Sequence, residues 1–337
     1  MESKKKTALK TVIIIIAAAA AICLLVFFSR SDEYTDSFIA MDTYCSVKLS
    51  GKDAEEAAKE FKEITEKLDS ETLSRFEKGS LVYSLNENSE ENIPESLAKY
   101  FDTLFDVYRQ SEGAYDFTLG AVSDLWAIGT DNERVPGSDE IKAATGLCGA
   151  DKLIYDGSSM TVPGGMKLDL GSAGKGIALD EIKAKSDSLN LKKCVVSLGG
   201  SVLVCGKGNF KVGIQKPGAA GYIAVINTDG AFISTSGSYE RYFEKDGVRY
   251  HHILDPDTGY PAESGIVSAT IIAQSGTLSD ALSTACFVLG AEKGAELCLE
   301  YGCEGVFVSA DNKIYATPGA AEMLEITDSS YSLEVIR

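Results

Sequence analysis

Two apolar periodicities follow one another along this chain, and their order limits the folds open to it. Ala57, Phe61, Ile64 and Leu68 recur on one helical face, and Leu97, Phe101, Leu104 and Tyr108 repeat the pattern behind Pro94. Residues 38–49 alternate as a strand, and 166–170 read as another. A helix is expected from about 175 to 189. Strand-like runs then follow at 194–198, 202–205, 211–215, 222–227, 231–234 and 267–273. Helices over about 278–289 and 293–301 and strands over 306–309 and 313–316 close the chain. Strands in hairpin-like succession, after early helices, predict an α+β fold with largely antiparallel sheets and packed helices. A doubly wound parallel sheet would instead alternate strand and helix.

The residues ahead of that fold form a separate unit. Lys4, Lys5, Lys6 and Lys10 precede an uncharged apolar run over 12–28. As a helix it is roughly 25 Å long, the short end of a membrane span. Only Arg30 follows closely, so the lysines predict a cytoplasmic N-terminus and an outward-facing remainder. A cleaved signal peptide is the alternative. Lipoprotein processing at Cys23 fits poorly, because Ile22 is not small and the apolar run continues past it. The expected organisation is residues 1–30 as cytoplasmic lysines and transmembrane signal anchor, 31–36 as linker, and 37–337 as one domain. That places the protein at the cell membrane with its domain extracytoplasmic.

A formal net charge of −18 makes a nucleic-acid partner a poor fit. It also means that a phosphate ligand needs a local counter-charge, for which a divalent cation is the obvious candidate. The eight cysteines include no CxxC pair, which weakens zinc-ribbon and thioredoxin-like readings. A Cys298–Cys303 bridge is left open.

Several segments carry chemistry. In LDLGSAGKG, residues 168–176, a strand delivers Asp169, glycines turn, and a helix begins at Lys175, where backbone N–H groups can hold a phosphate. Its glycine spacing and the Gly176 after Lys175 rule out a Walker A loop. It serves equally well as a plain strand–turn–helix connection. In ISTSGSYERYF, residues 233–243, small hydroxyl side chains surround Gly237, suiting either an oxygen-rich ligand or a polar turn. His251 and His252, the only histidines, precede the stiff turn 255–261. On a strand they face opposite ways, which argues against a two-histidine metal site. One of them is placed to carry a proton. In LSDALSTACFVLG, residues 278–290, Asp280 and Thr284 share a helix face. A carboxylate and a hydroxyl suit Mg²⁺, which also binds substrate phosphates; the other reading is a helix N-terminal aspartate. Residues 111–129 are rich in glycine and aromatics and hold the only Trp, suiting a flat ligand or an ordinary core.

Together and in this order, these segments resemble the FAD:protein FMN transferase (ApbE) family. GAYDFTLG, DLGSAGKG, SLGGS, STSGSYERYF, HHILDPDTGYP and SDALSTA match its main motifs, and residues 74–86 are similar to its Ser-rich segment ending in Leu-Asn. The resemblance runs from about Met41 to Gly290 and implies an ApbE, T-fold-like domain. It implies Mg²⁺-dependent cleavage of the FAD pyrophosphate by a threonine hydroxyl of a target protein, with AMP leaving. Water as nucleophile would instead make an FAD pyrophosphatase, and loss of turnover a flavin-binding protein. Asp280 and Thr284 would hold Mg²⁺, with Ser172 or a nearby carbonyl, and Ser283 as a further contact. Asp169 and Lys175 would bind FAD; Met41, Phe76, Ala114, Tyr115 and Asp116 would surround its flavin or adenine end. Thr235, Ser236, His252 and Ile253 would line the opposite wall, with His252 orienting or deprotonating the incoming hydroxyl. Expected targets are Rnf- or Nqr-type subunits or FMN-binding domain proteins carrying a Thr acceptor motif. Two positions depart from the family pattern: Asp42 replaces a glycine, and Ser201 stands where Asp or Asn is common, which puts a polar contact there in doubt.

Overall fold

The computed structural model describes residues 33–337. The N-terminal part runs β1 (Glu33–Ala40), β2 (Thr43–Gly51), α1 (Ala54–Leu68), α2 (Leu81–Asn88), β3 (Glu90–Asn92), α3 (Glu95–Gln110), α4 (Gly120–Trp126) and α5 (Ser138–Thr145). Then come β4 (Ile154–Tyr155), β5 (Ser159–Thr161), α6 (Gly174–Ser186), β6 (Leu191–Leu198), β7 (Ser201–Gly206), β8 (Phe210–Gln215) and β9 (Tyr222–Thr228). They are followed by β10 (Ala231–Gly237), β11 (Tyr242–Lys245), β12 (Val248–His251), β13 (Ile266–Ala273), α7 (Gly276–Leu289) and α8 (Ala291–Glu300). The chain closes with β14 (Glu304–Ser309), β15 (Lys313–Ala316), α9 (Pro318–Met323), β16 (Leu324–Ile326) and β17 (Ser332–Val335).

A nine-stranded sheet, ordered β1-β2-β6-β7-β10-β13-β14-β15-β17, is antiparallel except for its last pair. Strand alternation gives it two apolar faces. One packs against the three-stranded β16-β9-β8 sheet through Val202, Val204, Ile233, Ile272 and Val308. The other carries helices: α1 and α6 sit over β1, β2 and β6, and α7 over β10 and β13. The expected α+β, largely antiparallel architecture is therefore present. α7 is buried on nearly every side, which its Gly, Ala, Ser and Thr content allows by letting backbones approach closely.

Two local expectations change, and the cysteine pair left open takes a definite arrangement. The stretch 31–36 is not a linker throughout, because β1 begins at Glu33 and pairs along its length with β2. Residues 166–170 form no named strand; they keep one bridge, between Lys167 and Leu119, and a backbone bond from Asp169 N to Phe117 O (2.8 Å), and a side chain supplies the other partner. Leu168 N–H donates to Asn86 Oδ1 (2.7 Å) and Asn86 Nδ2 donates to Leu168 O (3.0 Å), so one amide does the work of a neighbouring strand. Cys298 and Cys303 are both free thiols, and the sulfur in contact with Cys298 is that of Cys286, at 3.5 Å. The expected anchor at 1–30 lies outside the described residues, among which no helix is long and apolar enough to cross a membrane.

Candidate active site

The site grows from the crossing of α6 and α7. A Cβ on Gly176 would lie 2.1 Å from the Gly276 carbonyl oxygen, and one on Gly276 would lie 2.3 Å from that of Gly176. Two backbones touch there, so neither position admits a side chain. One turn beyond each glycine stands an aspartate, and each caps the other helix. Asp180 of α6 accepts from Gly276 N (2.7 Å), Thr277 N (2.9 Å), Thr277 Oγ1 (2.6 Å) and Ser275 Oγ (3.1 Å) at the start of α7. Asp280 of α7 accepts from Gly176 N (3.0 Å) in the first turn of α6. A carboxylate at a helix N-terminus is favoured by the unpaired N–H groups and by the helix dipole.

The two aspartates differ in what remains to them. Asp180 is surrounded by donors. Among the described residues Asp280 has only one other, Ser201 Oγ at 3.0 Å, with Lys175 Nζ at 3.7 Å, and is 4% exposed. Its oxygens keep lone pairs for a cation. Ser201 thus makes the polar contact that the sequence left in doubt.

Hydroxyl groups from β10 and α7 continue the site. Ser236 Oγ lies 2.8 Å from Ser283 Oγ and 3.2 Å from Thr284 Oγ1. Thr235 does not join them. Its Oγ1 meets Thr270 Oγ1 at 2.9 Å on the opposite sheet face, because neighbours on a strand diverge.

The β11–β12 hairpin supplies the facing wall. Its entry carries Glu240 and Arg241, its exit His252. Arg241 Nη2 donates to the Asp42 carbonyl (3.1 Å), which ties in the β1–β2 turn, and Met41 N donates to Asp69 Oδ2 (2.8 Å). Met41 and Asp42 both have positive φ, 51° and 54°, as a type I′ turn requires; aspartate tolerates this in place of glycine. His252 Nδ1 lies 3.2 Å from the Arg241 carbonyl. A carbonyl only accepts, so Nδ1 carries the proton and Nε2 keeps its lone pair. Solvent reaches His252 and Glu240, yet protein surrounds both on most sides. This enclosure, helped by Arg241, pushes the His252 pKa down to about 3. Burial also raises Glu240, against the pull of Lys175 and Arg241. His251 points away, its Nε2 3.2 Å from the Ala262 carbonyl and its ring against Phe287.

At the other lip, Asp169 Oδ1 accepts from Gly171 N (3.0 Å) and Oδ2 lies 3.4 Å from Arg75 Nε. The Arg75 guanidinium covers the ring of Phe76, 67% exposed, at 4.5 Å. Lys175 Nζ also donates to the Gly171 carbonyl (3.3 Å). Tyr115 is fully buried with its hydroxyl 3.5 Å from Ser172 Oγ, while Ala114 is half-buried beside it. Asp116 turns inward, where Thr118 N (2.8 Å) and Thr118 Oγ1 (2.7 Å) donate to it, and burial raises its pKa. Ile253 is a core residue, 5% exposed.

The structure thus gathers Asp280, Thr284, Ser236, Lys175, Ser172 and Tyr115 at the crossing, with His252 and Met41 on one wall and Phe76 and Asp169 on the other. Thr235, Asp116 and Ile253 turn elsewhere. Ser201, Arg241, Glu240 and Asp180 were not chosen from the sequence, although G-I-A-L-D at 176–180 and G-T-L-S-D at 276–280 share a spacing that marks the crossing. The described residues hold no cluster of three His, Cys, Asp or Glu side chains fit for a metal. One buried carboxylate with hydroxyls nearby is nonetheless what Mg²⁺ uses when phosphates and water complete its shell.

A family model described as "ApbE family" matches residues 41–307. The FAD:protein FMN transferase of Treponema pallidum is 32% identical over 335 residues, covering 91% of this chain and 92% of that protein. That of Klebsiella pneumoniae is 30% identical, covering 89% and 96%. The apo flavinyl transferase ApbE of Pseudomonas stutzeri superposes with a TM-score of 0.76 at 30% identity, over 88% of this chain and 98% of that one.

Proposed function

The chain belongs to the ApbE family and is an enzyme of the FAD:protein FMN transferase class, and on that premise we propose that it moves FMN onto a threonine hydroxyl of a membrane-bound target, with Mg²⁺ held at Asp280 and Thr284. The observation that carries this reading is the unsaturated Asp280 carboxylate, set beside Lys175 and the start of α6. Bound there, the cation would draw charge from the pyrophosphate oxygens. Lys175 and the first turn of α6 supply further positive potential to a chain that is otherwise strongly acidic. The exposed Phe76 ring and Met41 offer flat apolar surface for the ring ends of FAD.

The bond change is a substitution at the FMN phosphorus. The threonine oxygen forms a P–O bond, the pyrophosphate bridge breaks, and AMP leaves with the bonding electrons. Nε2 of His252, whose lone pair is held available by the Nδ1 contact, accepts a hydrogen bond from the hydroxyl and orients it, and the hydroxyl proton is released to solvent as the new bond forms. Residues 1–30 act as a membrane anchor in this reading, keeping enzyme and extracytoplasmic target on one surface and raising their effective concentration.

The test uses the full-length chain in mild detergent with FAD, Mg²⁺ and an acceptor protein bearing an exposed threonine motif. An acceptor that gains one FMN, with stoichiometric AMP, supports the reading. AMP without labelled acceptor would replace it with a pyrophosphatase.

His252→Ala is expected to slow transfer by about 10²–10⁴-fold while FAD affinity changes little. Equal losses in both would make His252 a binding residue only. Because its pKa is lowered from the ordinary 6.5, the ring stays neutral as pH falls through the usual histidine range. The acid limb of kcat/KM for FAD, which reports the free enzyme, should therefore lie well below about pH 6.

A further inference from the structure

We propose that Ser236 and Ser283 are positioning residues that fix the direction of the Thr284 hydroxyl proton, so that Thr284 offers a lone pair to the cleft. The inference rests on the cation site proposed above. It follows from counting protons, since each hydroxyl has one. Ser283 Oγ donates to the Asp280 carbonyl at 2.8 Å, and that oxygen can only accept. Ser283 therefore accepts from Ser236 across their 2.8 Å contact. With the Ser236 proton so placed, the 3.2 Å contact to Thr284 Oγ1 has a single polarity: Thr284 donates to Ser236. The Thr284 proton points at β10, and its oxygen faces outward with lone pairs only. An untethered threonine would turn its proton towards a phosphate; this one is set to meet a cation.

A second rung shows that the arrangement is built into the packing. Ser234 Oγ lies 2.8 Å from Ser279 Oγ, and Ser279 donates to the Gly276 carbonyl at 2.9 Å. By the same count, Ser234 donates to Ser279. Ser279 and Ser283 are one turn apart on α7, a rise of about 6 Å. Ser234 and Ser236 are two residues apart on β10, about 6.6 Å. The near match lets both serines of the strand reach both serines of the helix, which sets the axial register of α7 on β10. Ser234 and Ser279 are fully buried, whereas Ser236 and Thr284 are only half-buried at the cleft edge. Only the outer rung branches to Thr284.

The experiment measures Mn²⁺ binding by electron paramagnetic resonance on the full-length chain in detergent, with no FAD present. Ser236→Ala should weaken Mn²⁺ about tenfold, the scale seen when partners behind a metal ligand are removed. Ser283→Ala, which removes no hydroxyl contact of Thr284 itself, should weaken it too, because Ser236 is then free to donate to Thr284 and turn the Thr284 proton outward. Ser236→Thr should restore affinity, and Ser234→Ala should leave it unchanged. Wild-type affinity in both Ser236→Ala and Ser283→Ala would overturn the proposal, as would an equal loss in Ser234→Ala, which would signify mere packing. If the parent protein itself binds no Mn²⁺, the cation site fails and the proposal falls with it, an outcome told apart by the parent alone.

Discussion

Replacing Asp280 with alanine will cut AMP release and FMN transfer by about 10³-fold or more, and added Mg²⁺ will not restore them. The size follows from what a bound cation supplies to a phosphoryl transfer, several kcal/mol at roughly 1.4 kcal/mol per tenfold in rate. The fold should survive. The change leaves Gly176 N–H and Ser201 Oγ without their acceptor, at about 1–3 kcal/mol if water cannot reach them. Both groups are buried, so the cost applies, and it is small beside the loss of activity. Circular dichroism and a melting curve, read with the AMP assay, separate the two effects. A folded Asp280→Ala protein with full Mg²⁺-dependent activity would show the cation site to be misplaced.

Gly176→Ala will have the largest effect on stability, a loss of about 3 kcal/mol or more. The added Cβ would lie 2.1 Å from the Gly276 carbonyl oxygen and 2.8 Å from Asp280 Cβ. The first is backbone and cannot swing aside, so α6 and α7 must separate, which puts the change at or beyond the usual cost of overpacking. Separation also pulls Gly176 N–H from Asp280 and moves the carboxylate, so activity should fall with stability. Gly174→Ala is the control. Its Cβ would find Leu73 Cδ1 at 3.6 Å, ordinary contact, in the same helix. Denaturant melts that show equal loss for both variants would remove the crossing as the cause.

Much of this was legible in the sequence for an identifiable reason. Periodicity found α1 and α3 because each buries one face along its length; α6, α7 and most main-sheet strands were legible as apolar runs between turns. Motif order found Lys175, Asp280 and Thr284. What escaped depends on contacts between distant residues or on which way a neighbour points. Ser201 reaches Asp280 across 79 positions, and Asn86 substitutes for a strand across 82. Neither link leaves a local pattern. The resemblance put Thr235 and Ile253 on the wall with Ser236 and His252; Thr235 lies on the other face of its strand from Ser236, and Ile253 enters the core. The resemblance likewise put Asp116 beside Tyr115 at the ligand, and its carboxylate turns to Thr118. The Met41–Asp42 turn shows the opposite case. A non-glycine at a positive φ departs from the family motif and still fits the geometry.

The mutual capping of α6 and α7 has a consequence for how such a protein can change over generations. Four positions make the crossing: two glycines and two aspartates. Gly176 and Gly276 are fixed by contact between backbones, and Asp180 by the cluster of donors around it. Among these four only Asp280 has capacity to spare, and that capacity is where the proposed cation would sit. A lineage could therefore lose its enzyme at one codon and keep its scaffold, leaving a folded flavin holder that differs from its active ancestor by a single acidic side chain.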